Sequence, residues 1–166
     1  MTTNIARRLT TEPLTAEAFA PFGELLAAPE TPGRRTIERA LANHRADAHP
    51  SLSFSRKLPA SLPIASTTME RHRYSSQSFI PMRAGRWLVL VAPHGDDDMP
   101  DMARARAFLA APDQGVTYGA DVWHHPSTVF DQVADFAILM WQDGGATDDE
   151  FCTVAPFEIL EPAHAL

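Results

Sequence analysis

The sequence predicts an all-β fold, a sandwich or barrel with a few short helices, and two observations carry that prediction. Fourteen prolines and eight glycines cut the 166-residue chain into short pieces, so few windows beyond about ten residues lack a helix breaker. Between the breakers the residues alternate, or run apolar over stretches of strand rather than helix length. A chain of this size buries roughly 70% of the surface its unfolded form exposes, so its core needs neither a disulfide nor a structural metal. One domain spanning residues 1–166 is expected, with Thr31-Pro32-Gly33-Arg34-Arg35 as an exposed loop inside it rather than a linker.

In chain order, Thr15 is placed to cap a single helical turn over residues 16–19 that Pro21 ends. Strands are expected over residues 22–27, 52–58, 64–72, 78–82, 87–92, 116–118 and 135–141. The clearest is Trp87-Leu88-Val89-Leu90-Val91-Ala92, too short for a helix, rich in β-branched and aromatic residues, and stopped by Pro93 and Gly95. Two further helices are expected, over residues 36–46, where breakers are few and charges mixed, and over 100–109, where Pro100 suits a first turn. For the second, a strand beginning near Ala107 is the alternative.

Composition excludes several classes. Lys and Arg number 14 against 21 Asp and Glu, a formal charge of -7, and Lys57 is the only lysine, so no basic stripe exists to track nucleic acid. Cys152 is the sole cysteine, which rules out an intrachain disulfide, a zinc ribbon and a Cys-x-x-Cys redox pair. Arg7 and Arg8 are followed by no apolar run, and no stretch approaches the ~20 apolar residues that span a bilayer. A cytoplasmic protein without membrane partners is the expectation.

Two places could carry chemistry. In Glu70-Arg71-His72, a regular strand puts Glu70 and His72 on one face and Arg71 and Arg73 on the other. Imidazole and carboxylate suit Zn, Ni, Fe or Mn, and an imidazole from His124 would complete an open site. The plain alternative is a surface pair. In Trp123-His124-His125-Pro126, adjacent strand residues face opposite ways, so at most one histidine serves a given ion. Trp123 could wall a pocket, although tryptophan is more often core. Asp96-Asp97-Asp98 and Asp148-Asp149-Glu150 read as solvated loops, since neither has the spaced ligands of a calcium loop. Ser75 and Ser76 lack the Gly-x-Ser-x-Gly elbow of a hydrolase, and Cys152 reads as a buried strand residue.

Taken together, Glu70-Arg71-His72 with Ser75-Ser76-Gln77 and Phe79-Ile80-Pro81, then Gln114-Gly115-Val116-x-Tyr118, Trp123-His124-His125-Pro126 and Asp135-Phe136, resemble the ureidoglycolate lyase family. The opening Leu14-Thr15-x-Glu17-x-Phe19-x-Pro21-Phe22-Gly23 is similar too, so the resemblance runs from about position 14 to 157. It implies a cupin-like β-barrel (a double-stranded β-helix or jelly roll), a homodimer, and cleavage of ureidoglycolate to glyoxylate and urea in allantoin degradation. It also implies a divalent metal, often given as nickel, with zinc or manganese as further fits and metal-free chemistry left open. Against the general cupin pattern, Glu70 stands where the first histidine would be, His72 is the second, Gln77 replaces the glutamate, and His124 is the last ligand. On this resemblance Glu70, His72 and His124 are the catalytic residues and, with Gln77, the metal ligands; beyond what the resemblance implies, Gln77, Tyr118, Trp123 and His125 are expected to contact substrate. The competing readings are a non-enzymatic cupin binding a sugar or small acid, and another metal-dependent cupin enzyme such as an oxygenase or isomerase.

Overall fold

The computed structural model describes residues 5–162, and strands account for most of them. The strands are β1 (Arg7–Thr10), β2 (Glu12–Pro13), β3 (Gly23–Leu26), β4 (His49–Lys57), β5 (Ile64–Arg71), β6 (Gln77–Arg83) and β7 (Trp87–Ala92). They continue as β8 (Arg106–Ala110), β9 (Gly115–Tyr118), β10 (Trp123–His124), β11 (Thr128–Val129), β12 (Ala134–Gln142) and β13 (Glu150–Leu160). The one α-helix among the described residues, α1 (Ala16–Phe19), starts where expected: the Thr15 hydroxyl accepts the Ala18 N–H, and Phe19 is buried.

Eight strands form one sheet in the order β1-β13-β5-β10-β7-β8-β2, with β11 beside β7, and five form a second in the order β3-β9-β6-β12-β4. The edge strands β1 and β2 are separated only by Thr11, so the larger sheet must curl until its ends meet. Two cores result. One, between the sheets, holds Phe19, Phe79, Trp87, Val89, Phe108, Val116, Tyr118 and Phe136. The other, inside the curl, holds Met69, Leu88, Leu90, Ala107, Trp123, Phe157 and Ile159.

This arrangement explains why β7 reads as an unbroken apolar run: Trp87, Val89 and Val91 enter one core and Leu88, Leu90 and Ala92 the other. Gly23 is required where β3 meets β9, because a Cβ there would overlap the Thr117 carbonyl oxygen.

Both longer helices expected from the sequence are absent. Residues 36–46 stay irregular because their polar groups are taken by other segments: Arg39 donates to the Gly23 carbonyl, Ser76 N to Ala42 O, and His44 N to Tyr74 O. Around residue 100 the chain turns instead, with Asp101 N donating to Pro93 O, and then enters β8, whose Phe108 and Ala110 face one core and Ala107 the other. Ladder bonds and burial on both faces override the local helical tendency there, and the alternative strand beginning near Ala107 is the one that forms.

Candidate functional site

β10 pairs antiparallel with β5 so that His124 lies directly across from Glu70, and residues opposed in this way project from the same face. Their side chains meet, with His124 Nε2 3.3 Å from Glu70 Oε1. His72, just past the end of β5, brings its ring centroid to 5.3 Å from that of His124. Atoms from Glu70, His72 and His124 all fall within 4.8 Å of one another. The alternation that places Glu70 and His72 together and sends Arg71 to the opposite face therefore holds.

The two imidazoles are presented in a defined tautomer. His124 Nδ1 lies 2.9 Å from the Val122 carbonyl oxygen and His72 Nδ1 2.8 Å from that of Asp148. A carbonyl only accepts, so each Nδ1 carries a proton, and in the neutral ring Nε2 is left with a lone pair. Both Nε2 atoms are buried without a hydrogen-bond partner, as is Gln77 Oε1.

Gln77 opens β6 directly across from Tyr118 on β9, and both face the space between the sheets. The Tyr118 ring stacks on His124 with centroids 4.1 Å apart and planes at 13°. Burial, and secondarily the charge of Glu70, drive the Tyr118 phenol far above its ordinary pKa, so it remains a hydrogen-bond donor.

Trp123 and His125, expected to contact substrate, lie on the other face of the chain from this cluster. Trp123 is packed in the second core and donates Nε1–H to Asp98 O. His125 meets Phe157 edge-on, its Nε2 sits 3.0 Å from Ser66 Oγ, and burial lowers its pKa so that it stays neutral. Strand alternation is the reason: with His124 inward, both sequence neighbours point the other way. Ser75 and Ser76 are structural, receiving Trp141 N–H and Ala42 N–H on their hydroxyls.

The acidic run expected to be a solvated loop is instead the support of His72. Asp149 Oδ1 is 3.0 Å from His72 Nδ1. The Asp148 carboxylate, 7% exposed, receives the backbone N–H of Asp143 and Gly144 and pairs with Arg45 at 2.7 Å. Burial works to raise its pKa, but Arg45 and the two N–H donors hold it below the usual carboxylate range. Glu150 binds Arg71 and Arg73. The only sequence signal was three consecutive acids opening a strand of eleven residues.

Burial acts most strongly on both Glu70 and His72 and disfavours their charged forms, yet it loses to their neighbours. When protonated, His124 and His72 hold the Glu70 carboxyl below its ordinary pKa, while Asp149, the Asp148 carbonyl and Glu70 raise that of His72. With both rings neutral, the cluster converges two nitrogen lone pairs and a carboxylate, all acceptors. Such a set fits a divalent cation held by Glu70, His72 and His124. A second cluster, His94, Asp98 and Asp121, is geometrically similar, but the Arg71 guanidinium already pairs with both its carboxylates and Arg73 adds a second cation.

The sequence profile described as ureidoglycolate lyase matches residues 6–159, nearly the whole chain. The chain belongs to the ureidoglycolate lyase family. Relatives of this family member named ureidoglycolate lyase include one from Rhizobium etli (strain CIAT 652), 40% identical over 91% of this chain and 95% of its own. Another, from Burkholderia cepacia, is 43% identical over 95% of this chain and 93% of its own. Among solved structures, the dTDP sugar isomerase of Desulfovibrio desulfuricans G20 superposes with a TM-score of 0.50 at 17% identity, covering 79% of this chain and 82% of that one. At that identity the likeness concerns the fold alone. The chain shares the cupin-like β-barrel fold of that isomerase, as the resemblance implies.

Proposed function

We propose that the cavity holding Glu70, His72 and His124 is where this lyase breaks the C–N bond of ureidoglycolate, releasing glyoxylate and urea in allantoin degradation. The observation that carries the assignment is the convergence of two buried, unpartnered Nε2 atoms on one carboxylate. Ureidoglycolate carries a hydroxyl, a carboxylate and a ureido nitrogen on one carbon. Cleavage needs the hydroxyl proton removed, so that the carbon becomes an aldehyde, and a proton delivered to the departing nitrogen.

Glu70, kept ionised by its histidine neighbours, takes the hydroxyl proton and returns it to the ureido nitrogen, moving it across one face of the substrate. Gln77, whose Oε1 has no partner, accepts a ureido N–H. Tyr118 holds the His124 ring in plane by stacking and donates from its phenol. A divalent cation held by His72, His124 and Glu70 would supply positive charge that favours the deprotonated hydroxyl, with Gln77 left to the ureido group. Nickel is the ion the family resemblance implies, and zinc and manganese suit the same donors.

The test is release of glyoxylate and urea from ureidoglycolate by the purified protein, before and after treatment with a chelator. Equimolar release supports the lyase, and its loss on chelation with recovery on added nickel assigns the cation. No glyoxylate or urea from either preparation overturns the reading in favour of a small-acid-binding cupin.

A homodimer is also proposed. The outer face of the five-stranded sheet exposes Leu52 (62%), Phe54 (69%), Ile80 (42%) and Met82 (63%), and β4 is its open edge. Phe54, Ala137 and Ile80 lie in one cross-strand row, giving a flat apolar surface that a second copy can cover. Light scattering is expected to give twice the chain mass for the wild type and the monomer mass for Phe54→Glu; a monomeric wild type at micromolar concentration contradicts this. With a single cysteine and no helix among the described residues long and apolar enough to cross a membrane, the cytoplasm is the proposed location.

A further inference from the structure

Behind the cavity, on the far face of β5, Arg71 is enclosed with its side chain only 4% exposed. Three hydrogen bonds and one further ion pair hold its fork. Nε donates to Glu150 at 3.0 Å, Nη1 and Nη2 grip Asp98 at 3.0 and 2.9 Å, and Nη1 lies 3.1 Å from Asp121 Oδ1. The guanidinium carbon stands 4.4 Å from the centroid of the Trp123 ring, and Trp123 in turn donates Nε1–H to the Asp98 carbonyl.

All of these residues except Asp98 adjoin the cluster or the support of His72. Arg71 itself sits between Glu70 and His72, Trp123 precedes His124, and Glu150 follows Asp149. Asp121, held in left-handed backbone at φ 65°, donates its N–H to the His72 carbonyl at 2.9 Å. Three strands, β5, β10 and β13, and the two loops carrying Asp98 and Asp121 therefore meet at one guanidinium on the face of β5 away from Glu70.

We propose that Arg71 is a positioning residue whose guanidinium, clamped by Asp98, Asp121, Glu150 and the face of Trp123, fixes the spacing of the His72 and His124 rings. The clamp rests on the reading of Glu70, His72 and His124 as the reacting cluster. Lysine cannot replace it, because an ammonium keeps the charge but lacks the planar fork that reaches three carboxylates and stacks on indole.

The test compares wild type, Arg71→Lys and the milder Asp98→Asn, whose side chain is 54% exposed. For each, kcat and KM on ureidoglycolate, the 15N–1H ring resonances of His72 and His124, and the urea unfolding midpoint are measured. Arg71→Lys is expected to lower kcat about 10- to 100-fold, as loss of supporting partners does elsewhere, with KM little changed and both ring resonances displaced. Asp98→Asn should shift the same resonances by less. Variants that lose stability while kcat per folded molecule and the ring resonances stay at wild-type values overturn the proposal. A wild type that leaves ureidoglycolate intact removes the reaction assigned to the cavity, whereas the ring resonances still decide whether the clamp holds.

Discussion

Replacing His124 by alanine is expected to lower kcat/KM for ureidoglycolate by about 100-fold or more, and His72→Ala by a comparable factor. Each substitution removes one of the two lone pairs aimed into the cavity and leaves the Glu70 carboxylate facing one imidazole instead of two. The effect should fall on kcat rather than KM if the rings act on charge that develops during bond breaking. His125→Ala is the internal control. That ring lies against Phe157 in the second core, so its loss can affect stability but should leave turnover per folded molecule near wild type. Steady-state kinetics on the three variants, normalised to folded protein by circular dichroism, check this. Near-normal turnover in both His72→Ala and His124→Ala would remove the two rings from the mechanism.

Trp87→Ala should cost about 3–5 kcal/mol of folding stability, the range for truncating a fully enclosed large aromatic. Trp87 has no exposed surface, meets Phe136 edge-on at 5.1 Å and Phe79 at 6.0 Å, and donates Nε1–H to the Gln114 carbonyl. Alanine leaves a cavity between the sheets and an unpaired carbonyl beside it. Trp87→Phe, which keeps most of the volume and loses the N–H, should cost clearly less. Urea unfolding of the three proteins measures both, and a loss below about 1 kcal/mol for alanine would contradict the two-core packing.

Residues whose environment is local were legible in the sequence. Thr15 announces α1 because a cap acts within one turn, and β7 is evident because burial on both faces leaves it wholly apolar. Glu70 and His72 could be placed on one face from the period of a strand alone. Partners supplied by distant segments were not legible. Nothing near His72 in sequence indicates that Asp148 and Asp149, 76 and 77 positions later, will bind its Nδ1, and three adjacent acids ordinarily mark a solvated turn. The same holds for Asp98, taken as part of a solvated triad but bound by Arg71 and Arg73. The expected helix over residues 36–46 failed for a related reason: its backbone groups find partners at Tyr74 and Ser76 that no local pattern reveals. Trp123 and His125 show the opposite error, since alternation around an inward His124 already directs both away from the cavity.

The most direct measurement is the position of bound product. Crystals of the protein soaked in glyoxylate, whose aldehyde hydrates to a diol with two O–H donors, should show density between the two sheets, with those hydroxyls within hydrogen-bonding reach of Glu70 and Gln77 and beside the Nε2 atoms of His72 and His124. Glyoxylate ordered only elsewhere, for example in the apolar groove formed by Pro13, Leu14, Leu109 and Pro112, with the Glu70 cavity holding solvent alone, would contradict the account.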